Sequence, residues 1–211
     1  MSSRLYLVGG GGHCRACIDV IEAEDRHRIA GIVDLPARLG EAVLGYRVTA
    51  TDPDLERLAR EECGFLVTIG HLGPAPRRLE TFAALQRLGT FLPTVVSPLA
   101  HLSRHARVGE GTIVMHGVIV NAAATVGVNA ILNTGAIVEH DARVGDHCHI
   151  STGAVVNGGC RVGARTFVGS NSVLVHGVSV AADVVVGAGS VVHRDLTEPG
   201  VYAGNPCTRL R

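Results

Sequence analysis

The sequence predicts a two-part chain: a small parallel α/β unit in front and a parallel β-helical prism behind it. Ninety consecutive residues from Ala106 repeat with a period of six and no slip, and the residues before them alternate short apolar runs with amphipathic stretches. Four glycines straight after the first apolar run mark a third feature, the place where the front unit can meet a ligand.

Residues 4–9 are the first predicted strand, running directly into Gly9-Gly10-Gly11-Gly12-His13. A helix is predicted over about 14–24, with Cys17, Ile18, Val20 and Ile21 as its apolar positions. Further strands are predicted over 29–33, ending in Asp34, and over 65–69, ending in Gly70-His71. Between them 52–62 reads as a helix, with Thr51 or Asp52 as cap and Pro53 in its first turn. Residues 77–88 read as another. Strands alternating with helices argue for a small Rossmann-like parallel sheet. Its glycine turn offers backbone N–H groups and a helix N-terminus to an anion. The spacing is not a clean GxGxxG, and the unit is short for a dinucleotide fold, so a mononucleotide or a nucleotide-linked sugar fits better. A tight turn serving only the fold is the other reading.

In the repeat, the third place of each six is aliphatic in all fifteen cases, from Val108 to Val192, and the phase reaches back to Leu102 and Val96. The first place is small (Ala124, Ala130, Ala136, Cys148), and the sixth is Gly, Asn or Asp in twelve of fifteen. First and third side chains share the inner face of a strand and the second points out. Places four to six turn the chain, where Gly and Asn adopt unusual backbone angles cheaply. Three sixes close one triangular coil, giving five coils and a prism roughly 24 Å tall. A helix of 3.6 residues per turn cannot carry this period. The expected boundaries are 1–94 for the front unit, 95–195 for the prism and 196–211 for a C-terminal tail.

The net charge is zero, and all nineteen cationic residues are Arg. No basic stripe or aromatic platform suggests a nucleic-acid partner. Neither a leader nor an apolar span of about 18 residues is evident, so the sequence reads as cytoplasmic with no membrane partner. Cys14 and Cys17 form a CxxC without a second pair; buried small residues are preferred over a redox pair. Cys148 and Cys160 fall at the small inward place.

His140 and Asp141 occupy places five and six of their coil, a corner where side chains face out, and an adjacent carboxylate orients an imidazole. One coil later Gly158 stands over the same corner, where it has no side chain to fill the space. An exposed corner histidine with no task is the alternative. His116 and His176 also fall at place five and read as incidental or as subunit contacts. His101 and His105 are spaced i to i+4 without a third ligand, so no metal is expected; His147 reads as surface.

Taken together, Gly9-Gly10-Gly11-Gly12-His13, the prism, Glu139-His140-Asp141 and Ala203-Gly204-Asn205-Pro206 resemble the bacterial sugar O-/N-acyltransferases of the sialic acid O-acetyltransferase family, which include UDP-4-amino-sugar and GDP-perosamine N-acetyltransferases. The resemblance spans the chain. It implies a left-handed β-helix and a homotrimer with acetyl-CoA between neighbouring subunits. It also implies a nucleotide-linked amino sugar as substrate, serving surface glycan synthesis. His140 is then the base and Asp141 the residue that tunes it. Gly11, Gly12, His13 and Asp34 line the nucleotide-sugar site, and His149, Gly158, Ser170 and Ala188 meet the cofactor. Some relatives carry two adjacent acids where Leu35 follows Asp34 here, which bears on the nucleotide's identity. Three other readings compete. An O-acetyltransferase would act on a sialic-type hydroxyl. A prism-type carbonic anhydrase would need two prism histidines five residues apart, and these are absent. A scaffold would need no catalysis at all.

Overall fold

The computed structural model describes residues 3–210 and divides into two units. One comprises the chain up to Gly70 together with Pro76–Val96; the other comprises His71–Ala75 together with the chain from Ser97 on. The short stretch 71–75 therefore groups with the prism although it lies within the stretch expected to form the front unit.

In the first unit the order is β1 (Ser3–Val8), α1 (Gly12–Glu24), β2 (His27–Val33), β3 (Ala42–Val43), β4 (Tyr46–Ala50), α2 (Leu55–Leu58), β5 (Cys63–Val67) and α3 (Pro76–Arg87). The sheet order is β3-β4-β2-β1-β5. β1, the central apolar strand, pairs in parallel with both β2 and β5, and β4 pairs in parallel with β2. On α1, Cys14, Cys17, Ile18 and Ile21 are buried, the i, i+3, i+4, i+7 stripe of a helix laid on a sheet. Leu5, Leu7, Ile32, Phe65 and Phe82 complete the core.

Two local features depart from the sequence expectation. The β3–β4 hairpin was not anticipated: its turn, Leu44-Gly45, has φ of 48° and 88°, a left-handed pair usually announced by Asn-Gly. The helix expected over 52–62 is a 3-10 turn, Asp52–Asp54, followed by α2, which stops at Leu58. Past that point the N–H groups of Arg60 and Glu61 fall back on Arg57 and Leu58 at i−3, and Cys63 enters β5 opposite Arg4. The anticipated cap is present in reciprocal form, with the Asp54 carboxylate accepting from Thr51 N and Oγ1 at 2.9 and 3.1 Å.

The second unit is built from two-residue strands in three parallel sheets, with an 18-residue offset between stacked rungs such as Ile119 and Ile137. The first sheet begins at His101–Leu102 and ends at Val191–Val192; the second runs from Arg107–Val108 to Ser179–Val180. The third continues through Val184–Val186 to Gly200–Ala203, on which Thr208–Arg209 folds back antiparallel. Residues of the expected tail thus extend the prism. Within each coil the strand N–H groups bond to the coil above, as Ile137 N does to Ala154 O at 2.9 Å. At place six the direction reverses, and Asp141 N donates to Ala122 O of the coil below at 3.1 Å. That reversal goes with a left-handed backbone at every place six from Gly111 to Gly189. Ala123, His147 and Arg165 adopt it as well, at roughly 1 kcal/mol or more each relative to glycine.

The inward first place is not purely apolar. Thr112, Thr166, Ser172 and Ser190 are fully buried there; the first three donate their hydroxyls to carbonyls of a later corner, as Thr166 does to Ala181 O at 2.9 Å, and Ser190 donates back to Gly187 O at 2.6 Å. The outward second places give the three sheets different faces. The first carries Ile119, Ile137, Val155, Val173 and Val191, all half-exposed; the second carries Arg107, Thr125, Arg143, Arg161 and Ser179. On the third, Ile113, Ile131, His149 and Phe167 are buried.

Candidate functional site

Three residues converge at the corner between the first and second sheets of the prism. His140 and Asp141 stand there side by side, with His140 Nδ1 2.8 Å from Asp141 Oδ2. Asp141 has φ of 61°, a conformation aspartate tolerates, and it is adopted because place six must bond downward. The two side chains are 58% and 68% exposed, so the contact is worth at most about 1 kcal/mol and serves orientation more than stability. With Nδ1 held by the carboxylate, Nε2 is the nitrogen left to take a proton. It lies against Gly158, one coil up, where an added Cβ would sit 2.7 Å from Nε2 and 2.8 Å from Cε1. Gly158 has no left-handed φ, so space and not conformation demands glycine there. The Gly158 carbonyl accepts from Gly177 N at 3.0 Å, but no acceptor for its N–H is found among the described residues. An N–H without a protein acceptor beside a proton-accepting imidazole is the pair of elements acyl transfer needs. Beside them, Glu139 accepts from Asn121 Nδ2 at 2.8 Å.

In the first unit the four glycines do different jobs. Gly9 has φ of 108° and meets the chain at Ile69, where a Cβ would lie 2.6 Å from Cγ1; Gly10 backs onto the Asp34 carboxylate. Gly11 and Gly12 face open space, and no neighbour within 4 Å requires them to be glycine. Gly11 is the N-cap of α1 without a side-chain cap, and no acid occupies the first turn. The helix therefore presents uncapped N–H groups at an open surface, a setting that suits a phosphate. His13 follows, half-buried, with Gly70 pressed against its Cβ. Asp34 is buried, and its carboxylate accepts from Gly10 N and Leu35 N at 2.8 Å each and from Arg38 Nη1 at 2.5 Å. It braces the glycine turn against the end of β2.

Residues 4–75 match the PglD N-terminal domain family, and residues 159–194 match the bacterial transferase hexapeptide (six repeats). PerB from Caulobacter crescentus, solved in complex with CoA and GDP-perosamine, is 35% identical over 100% of this chain and 99% of that one, with a TM-score of 0.92. A single-residue mutant of the GDP-perosamine N-acetyltransferase of that organism, again with CoA and GDP-perosamine, is 34% identical over 100% and 98%, with a TM-score of 0.92. The chain belongs to the nucleotide-linked amino-sugar N-acetyltransferases. The acetyltransferase domain of PglB from Neisseria gonorrhoeae, in complex with acetyl coenzyme A, is 30% identical over 100% of both chains, with a TM-score of 0.91. No curated protein sequence matches. The prism of this N-acetyltransferase is the left-handed hexapeptide β-helix.

The remaining expected cofactor residues of the N-acetyltransferase lie elsewhere on the prism. Ser170 and Ala188 occupy place five at the corner after the third sheet, in one column with His116, and Ser170 Oγ is 3.0 Å from Ser151 Oγ. His149 is on the outward face of that third sheet and buried. Its Nδ1 lies 2.8 Å from His71 O and its Nε2 3.1 Å from Asn133 Nδ2. The His71 and Phe167 rings pack edge-on against it, each with its centroid 5.2 Å away. This arrangement fixes His149 as the tautomer with hydrogen on Nδ1. His116 Nδ1 is 2.6 Å from Ser97 Oγ, and His147 Nδ1 is 3.1 Å from Asn129 Nδ2. Cys14 and Cys17 are buried on α1. Burial pushes the Cys14 thiol up to about 11 and Cys17 higher still, which suits core residues and not a redox pair. Among the described residues no group of three His, Cys, Asp or Glu could hold a metal ion.

Two residues escaped the sequence reading. Arg38 completes the brace on Asp34 and also pairs with Glu41 at 2.9 Å; the signal was its i+4 spacing after the acid. Arg78 on α3 is fully buried, donates to Val67 O and Ile69 O at 2.7 and 2.9 Å, and has its pKa lowered by burial to about 10. It holds the end of β5 in place beside Gly70. A lone arginine in an amphipathic helix gave no sign of that.

Proposed function

We propose that this chain transfers the acetyl group of acetyl-CoA to the amine of a nucleotide-linked amino sugar, with His140 as general base. The observation that carries the proposal is the His140–Asp141–Gly158 corner: a carboxylate on Nδ1 and, beside it, an Nε2 and a Gly158 N–H that no hydrogen bond engages among the described residues. The amine nitrogen attacks the thioester carbon while Nε2 accepts the proton it sheds. The carbonyl oxygen, as it gains charge, takes the Gly158 N–H. The carbon–sulfur bond then breaks, leaving the N-acetyl sugar and CoA, which carries away the proton. Such a base contributes roughly 10²- to 10⁴-fold, and one oxyanion donor about as much.

In this reading the first unit is the nucleotide-sugar domain. Gly11, Gly12 and His13 present the open helix start to the diphosphate, and Asp34 keeps the turn in shape next to the nucleoside. His149, Ser170 and Ala188 take the cofactor. Those three lie on a different side of the prism from His140, so one acetyl-CoA meets both sets when a neighbouring copy turns its own corner against the first. A homotrimer does this. The half-exposed stripe of Ile119, Ile137, Val155, Val173 and Val191 supports it, being an apolar ladder left facing water in the single chain. Six free cysteines suit the reducing cytoplasm, where acetyl-CoA and nucleotide sugars are made. No helix among the described residues is long and apolar enough to cross a membrane.

The test is incubation with acetyl-CoA and a panel of UDP-, GDP- and dTDP-linked amino sugars, alongside the matching hydroxyl sugars, with products weighed by mass spectrometry. A gain of one acetyl group on an amino sugar is expected. A gain only on hydroxyl sugars, or on none, overturns the proposal.

A further inference from the structure

We propose that His176 is a second proton-handling residue of this site, protonating the departing CoA sulfur as His140 deprotonates the amine. The inference rests on the acetyl-transfer reading above. His176 occupies place five two coils above His140, with Gly158 at the same place between them, so the three form one vertical column at the corner. The His140 and His176 ring centroids are 6.3 Å apart, with the planes tilted by 44°. A Cβ built on Gly158 would lie 2.7 Å from His140 Nε2 and 3.2 Å from His176 Nδ1. Both nitrogens therefore border one small space above Gly158 and cannot be further apart than about 6 Å. That gap is spanned by a single atom or water making two hydrogen bonds of ordinary length. The glycine keeps the gap open, because any side chain at 158 would fill it.

His176 is exposed, and no hydrogen bond engages its ring among the described residues, so its nitrogens are available to whatever enters the gap. The chemistry that enters is set by what surrounds it. The thioester carbonyl oxygen points at Gly158 N–H, and the amine arrives on the His140 side. Two substituents of the same carbon are then left, the methyl and the sulfur, and we place the sulfur, the one that can take a proton, on the side of His176. The step balances with one proton shared by the two rings. His176 enters protonated and His140 neutral. The C–N bond forms as Nε2 takes one amine proton, the C–S bond breaks with its electron pair on sulfur, and His176 Nδ1–H delivers a proton to that sulfur. A water in the gap afterwards returns the proton from His140 to His176, so no external acid or base is consumed. By the 18-residue stacking, the other ionisable groups at this corner are Glu139, His140 and Asp141 on the coil two below, and His193, Arg194 and Asp195 at the matching places above. Asp195 accepts from Ser179 N at 2.8 Å.

The experiment compares the full chain with His176→Phe and His176→Asn, measuring kcat and KM with acetyl-CoA and the accepted amino sugar across the pH range in which imidazoles titrate. Because the residue is exposed, neither change disturbs the core. Expected results are a fall in kcat of about 10-fold or more with KM for acetyl-CoA within about threefold. The descending alkaline limb of kcat, which reports the acid, should disappear while the ascending limb remains. Wild-type kcat in both variants, or a reduced kcat that keeps its alkaline limb, overturns the inference. His140→Ala is run beside them: if it stays active the base assignment itself has failed. If it is inactive while the His176 variants match wild type, only the role of His176 is lost.

Discussion

Gly158 lies so close to the His140 imidazole that a single methyl group at 158 would stand 2.7 Å from Nε2, inside any permitted contact. Gly158→Ala should therefore displace the imidazole without harming the coil, whose backbone at 158 suits any residue. The expected outcome is a loss in kcat of about 10-fold or more with an unchanged melting temperature. Gly135→Ala is the control. Position 135 has φ of 67° and no neighbour within 4 Å of an added Cβ, so it should cost about 1 kcal/mol of stability and leave kcat alone. Calorimetry and steady-state rates separate the two.

His140→Ala should lower kcat by about 10²-fold or more while acetyl-CoA binds within about twofold of wild type. The side chain is more than half exposed and its ring partners among the described residues, Asp141 and His176, are exposed too, so its loss leaves no buried group unpaired. Titration calorimetry with CoA and single-turnover rates check both halves. Equal loss of binding and rate would show that His140 holds the cofactor instead.

Within the glycine turn, Gly9→Ala and Gly11→Ala should behave oppositely. At Gly9 an alanine must hold φ of 108° and collide with Ile69, costing about 2 kcal/mol or more in thermal or urea unfolding. At Gly11 the methyl meets only solvent, so stability should hold while KM for the nucleotide sugar rises severalfold. Unchanged KM at Gly11 would leave the turn a purely structural element.

Val155→Arg, in the middle of the apolar outward stripe, should yield a monomer by light scattering and abolish turnover, with the circular dichroism spectrum retained. A charge on a strand that faces water in the single chain costs little; the same charge pressed against a partner costs several kcal/mol. A Val155→Arg protein that remains oligomeric and active refutes the trimer seam on this face.

The thiols give a chemical check on the packing. Burial pushes Cys14 up to about 11 and Cys148 up to about 12, so at neutral pH less than about one molecule in 10³ carries either thiolate. Thiol reagents should label the half-exposed Cys63 first and spare Cys14, Cys17 and Cys148 until denaturant is added. Mild oxidants should form no Cys14–Cys17 disulfide. Peptide mapping after labelling reads this out, and a rapidly labelled CxxC pair would revive the redox alternative.

The prism was legible in the amino-acid order because each six is nearly self-sufficient. It carries its own inward aliphatic and its own residue able to take a left-handed turn, and the 18-residue stacking then follows by counting. Counting alone placed Gly158 over His140, and the same step taken once more reaches His176. Its meaning stayed hidden because ring proximity and exposure are properties of the assembled corner. Other features depended on contacts between distant segments that no local pattern encodes. Leu44-Gly45 makes a left-handed turn without the usual asparagine because β4 is held by pairing with β2. Arg78 is buried because two carbonyls at the end of β5 need donors, and Asp34 braces the glycine turn because Gly10 and Arg38 close on it. Strand alternation named the outward residues of all three sheets but could not say which ladder is covered. The His71 segment over His149, and the bare aliphatic stripe on the first sheet, were decided only when the chain closed on itself, because burial depends on what else occupies the space.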